Sequence, residues 1–204
     1  MRPQSYPHGT VRALLDSDMV TPQTRAALRT RLEKPTADAP RFFDNEAYAT
    51  LRAACARLIS PTESACPVDL AAAIDERLVQ GEGDGWRYDR MPPDGEAHRR
   101  GLRGLNECAR DKFASAFHEL DGARQDEILL AVQRGEVRGG VWETLPAGRF
   151  FEELLAGVTE SYYSHPLAQE EIGYAGMADA RGWQAIGLDQ LEPWEPRALE
   201  EEIV

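Results

Sequence analysis

The chain has 204 residues, 42 % hydrophobic and 28 % charged, the make-up of one ordinary globular domain with or without an extension. Its formal charge of −12 leaves no basic surface for phosphate, which argues against a nucleic-acid partner. No window approaches ~18 consecutive apolar residues, so no membrane insertion is expected.

In chain order, "MRPQSYPHGTVRALLDSDMV" shows neither an apolar h-region nor a twin-arginine pair, so no export signal is visible. "TPQTRAALRTRLE" predicts a helix with Thr21 as N-cap and Pro22 in the first turn, where a missing N–H costs nothing. "KPTADAP" then interrupts the chain and sets residues 1–40 apart as an arm. Asp44 is the cap of the next helix, with Leu51, Cys55, Leu58 and Ile59 on one face, and "SPTESACP" ends it. Pro67 opens a third helix striped by Leu70, Ile74 and Leu78 and stopped near Gly81.

"GEGDGWRYDRMPPDGE" is a loop; its glycines lack the preceding strand and following helix of a dinucleotide site. A long helix is expected from about Glu96 to Phe117, with Leu102, Leu105, Ala109, Phe113 and Phe117 inward. Asp121 caps a helix striped by Ile128, Leu129 and Val132 and ended by Gly135. Pro146 starts the last strong one, with Phe151, Leu154, Leu155, Val158 and Tyr162 on one face. Nowhere do β-branched residues alternate as in a strand pair.

The expected fold is therefore mainly α: a single bundle-like body of four to six helices over 41–165, the arm before it, and a long irregular tail over 166–204. Helical periodicity stops after Pro166, yet the tail carries Tyr174, Trp183 and Trp194. A disordered tail would be poor in aromatics, so this one is expected to dock, up to about Pro196, with "RALEEEIV" as a solvated end. Aromatics are the usual anchors of protein interfaces. Tyr162, Tyr163, Pro166, Tyr174, Trp183 and Trp194 are the expected partner contacts, with the stretch from Tyr6 to Leu15 as a second one.

Catalytic apparatus is not visible. His165, Glu170 and Glu171 invite a metal, but spacings of five and six put the histidine off the glutamates' helix face, and Pro166 breaks a helix there. The competing reading puts His165 at a helix C-terminus, beside the last carbonyls. His8, His98 and His118 have no partner pattern. No G-x-S-x-G, P-loop or recognisable Cys/His pair occurs. Cys55, Cys66 and Cys108 make no CxxC; Cys55 and Cys108 sit on predicted helix faces as buried thiols, with a Cys55–Cys66 or intersubunit disulfide as the alternative for an exported chain. No catalytic, cofactor-binding or metal-binding residue is assigned.

"FFEELLAGVTESYYSHPLAQEEIGYAGMADARGWQAIGL" resembles the C-terminal signature of the gluconate 2-dehydrogenase subunit 3 family. The resemblance lies in paired aromatics closing a helix (Tyr162, Tyr163), then Ser164 and Pro166, glycines at 173 and 176, Trp183, and the Ile186–Gly187 pair. "FFDNEAYATLRAACARLISP" is similar to the family's opening helix, and "GLRGLNECARDKFASAFHELDGARQDEILLAVQRGE" to its middle. The "YGGN"-like run of the family is replaced by "IGYAGMADARGW". Together the resemblance spans roughly residues 41–196.

The resemblance implies a non-catalytic small subunit that stabilises, and helps fold, a large glucose-methanol-choline (GMC) type flavoprotein. That partner holds the FAD and oxidises a hydroxyl of a sugar, sugar acid or glycoside to a ketone, passing electrons to a cytochrome or other acceptor. No cofactor is implied in this chain. A cytoplasmic location is expected, or a periplasmic one if the chain is exported with its partner. The alternatives are a stand-alone helical metal-binding protein and a free-standing helical adaptor.

Overall fold

The computed structural model describes residues 6–33, 39–59, 68–81, 91–176 and 182–199. Among them there are eight α-helices and no strand, so the fold is mainly α. The chain divides into two compact units: Thr36–Ser161, and Met1–Pro35 together with Tyr162–Val204. Cys66, Pro67, part of the "KPTADAP" break, most of the glycine-rich loop and the end of "RALEEEIV" lie outside the described residues.

The Thr36–Ser161 unit holds α3 (Asn45–Leu58), α4 (Leu70–Gln80), α5 (Asp94–Phe113), α6 (Gly122–Gln133) and all but the last two residues of α7 (Ala147–Tyr163). Asp44 caps α3 through the Ala47 N–H at 2.8 Å, and Asp121 caps α6 through that of Arg124 at 3.0 Å. α4 starts three residues later than expected. Asp69, not Pro67, sets its start, because the Asp69 carboxylate satisfies the orphan Ala72 N–H at 3.1 Å. Gly81 ends α4 in the left-handed region at φ 67°.

α5 runs from Asp94 to Phe113 rather than from about Glu96 to Phe117. Ala114 turns left-handed (φ 54°) and ends it, and Phe117 goes to the core from a short 3-10 turn, Phe117–Glu119. Buried amides hold that turn. Asn106 donates to the Thr50 hydroxyl at 2.8 Å and accepts the Phe117 N–H at 2.9 Å. Gln125 donates to the carbonyls of Phe117 and Leu120 at 3.1 and 3.0 Å. The expected inward residues Leu102, Leu105 and Ala109 are fully buried, whereas Phe113 is half-buried beneath Lys112 and Arg124. Gly101 and Gly104 open a groove on α5: a Cβ at Gly101 would lie 2.0 Å from the Phe150 ring, and one at Gly104 would lie 2.5 Å from the Trp142 ring.

Cys55 is buried on α3; the Cys108 thiol is half-buried, accepts the Trp142 indole N–H at 3.2 Å, and is pushed up in pKa chiefly by burial. His98 is fully buried. Its Nδ1–H donates to the Asp94 carbonyl at 2.8 Å, and burial holds its pKa below the usual imidazole value, so it packs as a neutral core side chain. His8 and His118 are exposed.

The other unit contains α1 (Thr10–Leu15), α2 (Pro22–Glu33) and α8 (Pro166–Glu171). Its core is Val11, Leu14, Leu15, Val20 and Leu28 from the arm and Ala175 from the tail, with Met19, Leu32 and Trp194 packed on it. Arg25 fixes the α1–α2 connection by donating to the carbonyls of Leu15, Ser17 and Val20. The tail does not lose helical structure at Pro166. Pro166 occupies the first turn of α8, where its missing N–H is one of the helix's orphans and its fixed φ favours the helix.

In the Thr36–Ser161 unit, the buried carboxylate of Asp75 on α4 accepts three successive backbone N–H groups, from Arg41 (2.8 Å), Phe42 (3.0 Å) and Phe43 (3.1 Å). Asp75→Ala removes all three acceptors next to a buried phenylalanine and is expected to lower stability by about 2–4 kcal/mol. Urea unfolding measures it; a loss below about 0.5 kcal/mol would mean that the 41–43 segment finds other acceptors.

Candidate interaction surface

The tail begins with a carboxylate that finishes a helix belonging to the arm. α1 has six residues and no side-chain cap of its own. Its cap comes from Glu170 on α8, whose carboxylate accepts the N–H of Gly9 (2.9 Å) and of Arg12 (3.1 Å). These are the orphan donors that an N-cap side chain ordinarily satisfies. The same carboxylate takes the Arg12 guanidinium in a two-pronged pair, Nε and Nη2 both at 3.0 Å. Glu170 is only 4 % exposed. Burial alone would raise its pKa, but the bonds from the Arg12 side chain and from the backbone of Arg12 and Gly9 outweigh that and hold it below the usual carboxylate range.

His165 binds the other arm helix. It is the N-cap of α8 and accepts the Leu167 N–H on Nδ1 at 3.3 Å, which leaves Nε2–H to donate to the Arg31 carbonyl at 3.1 Å. Arg31 returns a bond from its guanidinium to the Ser164 carbonyl at 2.8 Å. His165 thus stands where a helix C-terminus was expected, just after α7 and on a last-turn carbonyl of α2, and because Pro166 restarts the helix it also stands at the beginning of α8. Burial lowers its pKa below the usual imidazole value. Glu171 takes the Tyr162 hydroxyl. His165, Glu170 and Glu171 therefore face three different partners. Among the described residues no three His, Cys, Asp or Glu side chains come together as metal ligands.

The six expected interface residues separate by exposure. Tyr162 and Pro166 are buried within the chain, and Trp194 is half-buried on the arm core. Tyr163, Tyr174 and Trp183 are exposed. Sequence reasoning missed their aliphatic neighbours. Ile172, Ile186, Leu188, Leu191 and Leu199 are exposed too, so among the described residues eight of the ten exposed large hydrophobic side chains fall between residues 163 and 199. Exposed apolar residues scattered singly are ordinary; here they are concentrated on one-fifth of the chain. The available signal was the aliphatic content of "QAIGLDQL", which has neither helical nor strand period. The expected second contact, around Tyr6 to Leu15, is largely turned inward: Val11, Leu14 and Leu15 form the arm's core, and the Tyr6 ring lies over Gly173, where a Cβ would come within 2.5 Å of it.

An open depression of about 640 Å³ lies in the Thr36–Ser161 unit between the start of α3 and the end of α5. Arg110 pairs with Glu46 there, Glu119 accepts from the Ser115 hydroxyl and the Ala116 N–H, and His118 is exposed at its edge.

The sequence profile of gluconate 2-dehydrogenase subunit 3 matches residues 45–189. No curated protein and no solved structure matches the chain. The matched segment contains the Phe117-x-x-Leu120 and Gln125 positions, and the structure gives them a physical role: Gln125 ties off the two carbonyls of that turn.

Glu170→Gln keeps the shape but removes the charge, and is expected to release the arm at a cost of about 1–3 kcal/mol. Amide exchange at Gly9 and Arg12 should speed up accordingly, while exchange in α3 and α5 stays unchanged. The pH dependence has a definite sign. The folded pKa values of both His165 and Glu170 are depressed, so each contributes stability above its unfolded pKa and loses it as the pH falls. Protection at these amides, relative to an unfolded chain at the same pH, should therefore fall first below the ordinary imidazole range and again below the ordinary carboxylate range. Protection that stays flat to the acid side of both ranges would contradict this assignment.

Proposed function

The chain belongs to the gluconate 2-dehydrogenase subunit 3 family, the small subunits of sugar dehydrogenase complexes, and from that premise we propose that it is a non-catalytic partner whose exposed tail is covered by a large GMC-type flavoprotein. The observation that carries this reading is the concentration of exposed Tyr, Trp, Ile and Leu side chains between residues 163 and 199. Leaving such a surface in water forfeits roughly 25 cal/mol for every Å² of apolar area that a partner would cover. The redox chemistry belongs to the partner, which holds FAD and oxidises a hydroxyl of a sugar, sugar acid or glycoside. This chain supplies surface, and by binding only the folded large subunit it shifts that subunit's folding equilibrium towards the native state.

The arm's dependence on Glu170, Ala175 and Trp194 decides how the proposal is tested. Cutting the chain after Ser164 would unmake the arm as well as the surface, so substitutions are the sharper tool. Tyr174→Ala with Trp183→Ala removes two aromatic anchors at about 2 kcal/mol each, roughly a thousandfold in affinity if they add. Co-expressed with a tagged large subunit, the wild-type chain is expected to co-purify with it and raise its soluble yield, and the double variant to do neither. The visible flavin band should travel with the large subunit, and the small chain purified alone should show none. A large subunit that folds and turns over equally well without this chain would overturn the proposal.

A further inference from the structure

We propose that the loop from Trp183 to Leu191 is a plug: Ile186 and Leu188 enter an apolar pocket on the large subunit, and basic side chains line the rim of that pocket. This rests on the reading of the chain as a small subunit with a covered tail, and it specifies how the covering surface is built. The loop is held together by its own acids and amides. Glu192 is buried, and its carboxylate accepts the backbone N–H groups of Gln184 and Ala185, the second at 2.6 Å. At the tip, the Gln190 N–H donates to the Gly187 carbonyl, and the Gln190 side-chain oxygen accepts the Gly187 N–H, both at 3.3 Å. With these backbone groups satisfied inside the loop, its shape does not depend on burying its apolar side chains.

Those side chains face outward. Ile186 is 85 % and Leu188 is 93 % exposed, with Trp183 and Leu191 half-exposed beside them in sequence. Leu188 stands on the turn next to Asp189, which takes the left-handed conformation at φ 57°. Turns of this kind favour Gly, Asn, Asp, Ser and Pro, each for a backbone reason, and nothing in the turn asks for a leucine. A branched aliphatic at the tip of an internally braced loop has no burial within this chain. It fits a socket on another molecule.

Charge selects the occupant. From Glu160 to Val204 the sequence has ten acids against Arg181 and Arg197; Glu170, Glu171 and Glu192 are engaged within the chain, and Asp189 is exposed directly beside Leu188. An anionic lipid surface would repel such a segment. A two-fold contact between copies of this chain would set the same acids against each other. A protein pocket rimmed by Lys or Arg is the complementary surface, attracting the acids while the aliphatic pair is desolvated.

The test uses the full-length chain and the large flavoprotein subunit. Ile186→Asp with Leu188→Asp should weaken the complex by about a hundredfold or more, with circular dichroism and unfolding midpoint of the isolated chain unchanged. The wild-type Kd should rise about tenfold between about 50 and about 500 mM NaCl, and Asp189→Asn, which tolerates the left-handed turn, should flatten that dependence. Binding of the double variant within about threefold of wild type would overturn the plug while leaving the subunit reading in place. A salt-independent Kd would overturn the basic rim. Wild-type chain that floats with phosphatidylserine-containing vesicles, or dimerises in sedimentation, through Ile186 and Leu188 would overturn the choice of occupant. If the wild-type chain does not bind the large subunit at all, the proposed function falls, and the plug with it.

Discussion

One carboxylate makes the arm and the tail a single folded object. A six-residue helix is far too short to be stable by itself, because nucleation fixes several residues before hydrogen bonds accumulate. α1 exists because Glu170, 158 positions away from Arg12 in sequence, supplies the cap that the arm's own sequence lacks. Gly9 makes the arrangement possible. Its left-handed backbone (φ 83°) allows the chain to enter the helix with its N–H on the carboxylate. Once α1 stands, Val11, Leu14 and Leu15 form one side of a small core, and Ala175 and Trp194 from the tail complete it. The tail's exposed side chains thereby inherit a fixed base instead of hanging from a free segment.

The Thr36–Ser161 unit solves its own version of the same problem. Its long helix ends early at Ala114, and the chain must still deliver Phe117 to the core. Buried polar groups are stabilising only when fully paired, and here they are: Asn106 uses both ends of its amide, and Gln125 takes two carbonyls. Gly101 and Gly104 contribute by what they lack. Without Cβ atoms, α5 admits the rings of Phe150 and Trp142 against its backbone, so aromatic packing replaces part of the helix–helix ridge contact. Phe117 and Gln125 thus meet a folding requirement.

These two constructions also mark what the sequence discloses. Helix positions were legible wherever an apolar stripe coincided with a cap, as at Asp44, Thr21 and Asp121, because both signals are local. Errors occurred where two local signals competed. Pro67 looked like a start, but Asp69 offered the oxygen; Pro166 does follow the end of α7, but with His165 before it the same ring also opens α8. The cap that Glu170 lends to α1 was illegible, since no pattern links residues so far apart. For the surface, the aromatic residues signalled binding, but composition does not distinguish a buried Tyr162 from an exposed Tyr163 next to it. The aliphatic tip at Ile186 and Leu188 went unnoticed because strand and helix templates ignore apolar residues without period.

A subunit that presents apolar side chains to a partner must avoid presenting them to itself. Exposed strand edges are the usual hazard, since their unpaired backbone groups recruit identical copies. Between Trp183 and Glu195 that hazard is reduced: the N–H groups of Gln184, Ala185, Gly187, Gln190, Glu192 and Glu195 have acceptors within the loop. The acids of the segment add a second safeguard, for a chain of net charge −12 repels its own copies while a complementary partner is drawn in. Glu192 belongs to both devices. Its carboxylate folds the loop from inside, and the loop so folded keeps leucine and isoleucine in the open, where only a surface shaped and charged to receive them gains by covering them.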